Sequence, residues 1–232
     1  MNQITPLVKN LIIINIIVFF VVTYMFPGWM QYFTAYYPAS KLFHPIQIVT
    51  HMFMHGNLIP HLFFNMFMLF MFGSILEYFW GEKFFLFVYL LSGLGALGFH
   101  YFVKYLYLNY FMSAVTPEMF QTVINEGADV LRNGQNYVGT LGKINQLINV
   151  PAVGASGATM GILAGFGTQF PRRKLMLLFP PIPVEARILI PLLIVAELFM
   201  GLGMNDGVAH FAHVGGAITG FLLTYYRHKF DF

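Results

Sequence analysis

The sequence predicts an all-α membrane protein, a bundle of six transmembrane helices with a structured first outer loop. Three observations carry that expectation. The chain is 58% hydrophobic and only 9% charged, where soluble domains carry about 25% charged residues. Six of its apolar stretches are long enough, or nearly so, to cross about 30 Å of hydrocarbon. Its serine, histidine and asparagine residues of chemical interest fall at one depth along those stretches, not scattered through them.

The predicted spans are about 7–26, 57–80, 84–105, 154–170, 186–204 and 208–227 of one domain covering 1–232. The first is not followed by a small-residue cleavage site, so it reads as a retained span, not a signal peptide. Two connections are long. Residues 27–56 hold Pro, Tyr, Trp and His and read as a structured interfacial loop. Residues 106–153 hold most of the polar side chains and read as surface helices capping the bundle. The fourth span is short and glycine-rich, as expected of a helix buried among the others. Trp29 and Trp80 are expected at the membrane interfaces, and Glu77 and Glu82 beside Lys83 or the "PRRK" turn.

Lysine and arginine set the orientation. Lys9, Lys83, Arg172, Arg173, Lys174, Arg187, Arg227 and Lys229 fall on one side of a six-span frame, and Lys41, Lys104, Arg132 and Lys143 on the other. Both termini are therefore expected in the cytoplasm and both long loops outside. A formal net charge of +3 and the lack of a basic stripe argue against nucleic acid as a partner. The absence of cysteine excludes disulfides, Cys-based zinc sites and a thiol nucleophile. The compact frame points to a bacterial inner membrane, and the oligomeric state is open.

A polar side chain inside a membrane is a functional candidate by default. At about 1.5 Å per residue, Ser156 lies roughly 22 Å from the end of its span at Pro171, His213 roughly 21 Å from Arg227, and Asn65 roughly 24 Å from Gly81. Three spans thus deliver a hydroxyl, an imidazole and an amide to one level. Gly157, Gly161 and Gly165 follow Ser156 at four-residue intervals, and Gly216 and Gly220 follow His213. Small faces let helices approach closely in lipid, so close packing of the fourth and sixth spans would bring Ser156 toward His213. Gly154 belongs to the same small-residue approach.

This set supports acyl transfer. A serine hydroxyl needs a base to become a good nucleophile, and imidazole suits that task near neutral pH. The first turn of a helix has unpaired N–H groups for an oxyanion. Asn65 adds an amide, and His61 lies one turn before it. No acid sits within a turn of His213. Asp206 lies in the preceding loop and Glu197 in the fifth span. A Ser–His dyad is therefore expected, with single amide substitutions at Glu197 and Asp206 tolerated. His210 reads as structural or loop-bonding.

With those residues in view, the chain resembles the rhomboid family of intramembrane serine proteases. The resemblance rests on "HLFFN" in the second span, "GASGATMG" at the fourth and "AHVGGAITG" in the sixth, over roughly 57–227. It implies a rhomboid-like bundle, with Ser156 as nucleophile, His213 as base, and His61, Asn65 and the Ser156 N–H as oxyanion stabilisers. It implies cleavage of transmembrane protein substrates within the lipid bilayer, entry by a gate near the fifth span, and no cofactor. Many family members carry a Trp-Arg pair in the first outer loop, where this chain reads "HPIQIVTH" with Ile46 and Gln47.

Two alternatives stay open. A catalytically inactive relative would bind membrane clients. A metal protein would use His51 and His55, an i, i+4 pair, with His61, His210 and His213. Against the metal reading, no carboxylate is expected beside these histidines and no H-E-x-x-H occurs.

Overall fold

A computed structural model describes residues 4–176, 181–203 and 209–227. In order, the elements are α1 (Pro6–Phe20), α2 (Met30–Phe33), α3 (Gln47–Thr50), α4 (Ile59–Met68), α5 (Ser74–Trp80), α6 (Glu82–Met112), α7 (Pro117–Arg132), α8 (Gly139–Asn149), α9 (Ser156–Gln169), β1 (Lys174–Met176), β2 (Pro183–Glu185), α10 (Ala186–Gly203) and α11 (His210–Tyr225). A π-helical turn at Val21–Met25 extends α1, and another at Leu69–Gly73 joins α4 to α5 as one rod. The short strands pair antiparallel, with Lys174 opposite Glu185.

Among the described residues four helical rods are long and apolar enough to cross a membrane: Pro6–Met25, Ile59–Trp80, Glu82–Met112 and Ala186–Gly203. The other two predicted spans are shorter. α9 has 14 residues and α11 has 16, and α9 reaches only about 21 Å at helical rise. Protein surrounds α9. From Gly157 to Phe166 every residue except Met160 is buried, so its length answers to its neighbours and not to the lipid thickness.

The main core gathers around α9. Phe84, Phe85, Val88 and Tyr89 of α6 meet Ala158, Ile162 and Phe166 of α9, with Leu69, Leu76 and Trp80 closing one side. Trp80 is therefore a core residue, 5% exposed, and its indole N–H donates to Gln169 Oε1 at 3.1 Å. It is not an interfacial anchor, whereas Trp29 is exposed. Glu77 also departs from expectation. Its carboxylate accepts the N–H groups of Leu7 at 3.0 Å and Val8 at 2.8 Å and the Thr5 hydroxyl. It caps the start of α1, where unpaired N–H groups and the helix dipole favour a negative charge.

α6 runs seven residues beyond its predicted end, because "LYLNYFM" keeps a buried face. Leu108 packs with Val123 of α7 and with Ile144 and Ile148 of α8, forming a second core beneath the long connection. That connection is tied down at both ends: Lys104 Nζ donates to the Val150 carbonyl at 3.0 Å, and Ala152 and Ala35 exchange backbone hydrogen bonds at 2.9 Å. The first loop has its own anchor in Gln47, fully buried. Its amide donates to the carbonyls of Leu42 at 2.8 Å and Gln31 at 3.2 Å and accepts from the Tyr36 N–H at 3.3 Å.

A candidate serine active site

Ser156 opens α9. The backbone before it turns at Gly154, whose φ of +117° is open to glycine but not readily to an L side chain. The Gly154 N–H donates to the His51 carbonyl at 3.0 Å, which fastens the turn to the first loop. The Ser156 N–H therefore lies in the first helical turn, among the donors that have no intrahelical partner.

The glycines account for what lies behind it. A Cβ on Gly216 would stand 2.0 Å from the Gly157 carbonyl oxygen, and one on Gly220 would stand 2.1 Å from that of Gly161. α9 and α11 thus touch backbone to backbone along both glycine pairs. On another side of α9, a Cβ on Gly157 would meet Ala96 Cβ at 2.4 Å, and one on Gly161 would meet the Ser92 side chain. Ser156 and His213 sit just before these glycines, at the same end of the two adjoining helices. No direct hydrogen bond joins the Ser156 hydroxyl to the imidazole. In substrate-free enzymes the nucleophile–base bond is often long and shortens when substrate binds. Ser156 also lines a small cavity with His51, Ala152, Gly154, Ala209 and Ala212.

His61 comes from α4 and faces the same turn. The position a Cβ would take on Gly154 is 2.9 Å from His61 Nε2 and 3.4 Å from Ser156 Oγ. Glycine there leaves the space between ring and hydroxyl open. His61 Nδ1 lies 3.1 Å from the His55 carbonyl oxygen. A carbonyl only accepts, so Nδ1 carries the proton and Nε2 is left toward Ser156. Asn65 is buried one turn on. Its Nδ2 donates to the His61 carbonyl at 2.9 Å, and its Oδ1 lies 3.3 Å from the Thr159 hydroxyl. One amide N–H remains uncommitted by these bonds.

A carboxylate does stand beside His213. Glu197 of α10 places Oε2 2.9 Å from His213 Nδ1 and 2.7 Å from His210 Nδ1. In the sequence Glu197 stands 16 residues from His213 on a different span, and only the packing of α10 beside α11 brings its carboxylate across. A lone carboxylate in the apolar run "ILIPLLIVAELFMGLG" was the signal available, since such a charge is costly in lipid. Asp206 lies outside the described residues. The absence of a carboxylate beside the histidines is likewise corrected, since ligand atoms of Glu197, His210 and His213 lie within 4.8 Å of one another and could hold an ion. The His51–His55 pair does not form a helical grip. The chain turns extended at Met54, with ψ of 133°, and His51 Nδ1 bonds the Gln47 carbonyl at 3.0 Å.

Residues 43–230 match the rhomboid domain. The chain is 29% identical over 205 residues to the presenilin-associated rhomboid-like protein, mitochondrial, of both human and the orangutan Pongo abelii, a match over 86% of this chain and 42% of each relative. It is 35% identical over 72 residues to RHOMBOID-like protein 4 of Arabidopsis thaliana, covering 31% of this chain and 17% of that one. The chain therefore spans less than half the length of these relatives. They are eukaryotic and lend no support to a bacterial inner membrane. The rhomboid domain covers both the glycine-locked helices and the polar cluster at their ends, and the chain is a member of the rhomboid family.

Proposed function

We propose that the chain is an intramembrane serine endopeptidase that hydrolyses peptide bonds in or near the transmembrane segments of membrane-protein substrates. The observation that carries this reading is the glycine contact between α9 and α11, which seats Ser156 and His213 at the same end of two touching helices. α9 and α11 would be the two short members of a six-span bundle with both termini cytoplasmic.

Ser156 Oγ attacks the carbonyl carbon of the scissile bond while its proton passes to His213 Nε2. The carbonyl π electrons move to oxygen. The Ser156 N–H and the uncommitted Asn65 N–H donate to that oxyanion, and His61 joins them when Nε2 carries a proton. The C–N bond then breaks, His213 returns the proton to the leaving amine, and an acyl-enzyme remains. Water attacks the ester with His213 again as base and releases the new carboxyl end. Intact helices hide their carbonyls in i→i−4 hydrogen bonds, so suitable substrates have a locally unstable helix. Family membership favours substrates with a single transmembrane helix and a small residue before the cleaved bond.

The test is cleavage of a model transmembrane substrate in liposomes by the wild type, Ser156→Ala and His213→Ala, with EDTA present. Cleavage by the wild type alone, with fluorophosphonate labelling confined to Ser156, is the expected result. Binding of the substrate without cleavage or labelling would identify a client-binding member of the family instead. Activity that EDTA abolishes would favour a metal at Glu197, His210 and His213.

A further inference from the structure

We infer that Glu197 is a positioning residue for His213, holding the general base in one tautomer, so that the site works as a Ser–His–Glu triad and not as a dyad. This inference rests on the serine-protease reading above. It comes from the contacts of a single atom. Glu197 Oε2 lies 2.9 Å from His213 Nδ1 and 2.7 Å from His210 Nδ1.

An ionised carboxylate only accepts hydrogen bonds. Each Nδ1 therefore carries its proton, and His213 Nε2 is left with a lone pair. That is the nitrogen a serine hydroxyl needs as base. In the other tautomer Nε2 would carry the proton and could not receive one from Ser156. The carboxylate also lies beside the positive charge that appears on His213 when the serine proton arrives. The pair is only partly exposed, 14% and 18% for the two side chains, so water screens that attraction less than at an open surface.

His210 completes the arrangement. It stands three residues before His213 on α11 and is buried. Its N–H gives the same oxygen a second donor, so the carboxylate is located from two sides. The arrangement also serves α10 itself. The buried residues of α10, Ala186, Leu189 and Ile190, all lie in its first third. Further along, Leu192, Val195, Phe199 and Leu202 face outward. Glu197 is thus a polar tie between the loosely packed half of α10 and the start of α11, reinforced by Gly201, where a Cβ would meet Phe211 at 3.1 Å.

The experiment compares wild type, Glu197→Gln and Glu197→Asp in liposomes with the model transmembrane substrate, reading kcat, KM and melting temperature. Gln keeps the shape and loses the charge, and its amide no longer dictates which ring nitrogen is protonated. Glu197→Gln is expected to lower kcat by about 10²- to 10⁴-fold, on the scale of removing the orienting acid of other serine triads. KM is expected to stay within about threefold and the melting temperature within a few degrees, as for a loss confined to the transition state. Glu197→Asp, with the charge on a shorter stem, should recover at least about tenfold over Gln, roughly 1.4 kcal/mol.

Wild-type kcat in Glu197→Gln overturns the proposal. So does a fall in kcat matched by a fall in melting temperature with Asp no better than Gln, which assigns Glu197 to architecture. Wild-type activity lost to EDTA and restored by zinc overturns it too, by making the three residues metal ligands. Ser156→Ala separates the two readings. If that variant still cleaves, the protease reading itself has failed. If it is inactive while Glu197→Gln is fully active, only the triad has failed.

Discussion

Gly216 and Gly157 are in backbone contact across α9 and α11, so close that a Cβ on Gly216 would lie 2.0 Å from the Gly157 carbonyl oxygen. Backbone cannot rotate away as a side chain can. Gly216→Ala must push the helices apart, an overpacking that costs about 1–3 kcal/mol. The expected outcome is a lower melting temperature in detergent and at least a tenfold loss of substrate cleavage, since separation moves His213 away from Ser156. Gly98→Ala in α6 is the control. Nothing lies within 4 Å of a Cβ there, and its melting temperature should be unchanged or slightly raised.

Asn65 is held by two bonds, to the His61 carbonyl and to the Thr159 hydroxyl, with one N–H to spare. If that N–H meets the oxyanion, Asn65→Ala lowers kcat by about 10²- to 10³-fold and leaves KM nearly unchanged. Thr159→Val, which removes a hydroxyl lying 3.3 Å from Asn65 Oδ1 and 3.0 Å from the Ser156 carbonyl oxygen, should cost about tenfold. Steady-state cleavage of the model substrate separates kcat from KM. An Asn65→Ala variant with wild-type kcat would show that the residue serves packing alone.

Gln47 satisfies three backbone groups of the first loop, the buried N–H of Tyr36 and the partly buried carbonyls of Gln31 and Leu42. Gln47→Leu keeps the bulk and strands those groups, at about 1–3 kcal/mol for each one left without a partner. Amide hydrogen exchange over residues 27–56 is expected to quicken, while α6 and α9 keep their protection. Uniform exchange in variant and wild type would refute the anchoring role.

Stability should fall on acidification through the first loop. Burial holds both His51 and His55 well below the usual imidazole range, at about 4. In the unfolded chain each titrates near 6.5. Between those values the unfolded state binds more protons than the folded one, so stability rises with pH. It is complete above about pH 6.5 and is lost progressively as pH falls toward 4, at about 1.4 kcal/mol per pH unit for each group. Thermal unfolding between pH 4.5 and 7.5 measures this slope. Replacing His51 with Gln should reduce it by about half, and an unchanged slope would assign the acid lability to other groups.

Much of the protein was legible in its residue order. Apolar runs gave four membrane-length helices, because a chain in lipid must bury its backbone in helices and this demand is written in composition. The glycine spacing in "GASGATMG" and "AHVGGAITG" foretold that α9 and α11 touch, because a four-residue period places small residues on one helix face. Serine, histidine and asparagine could be set at one depth because helical rise converts sequence distance into height. Rotation about each axis and the choice of neighbours follow from no such rule. Glu197 meets His213 because α10 lies against α11, a contact between residues 16 apart in sequence on different helices. Glu77 caps α1 from 69 residues away, and Trp80 turns inward to Gln169. Periodicity along a chain carries the height and face of a residue, while its partner on another helix is chosen only when whole faces pack together.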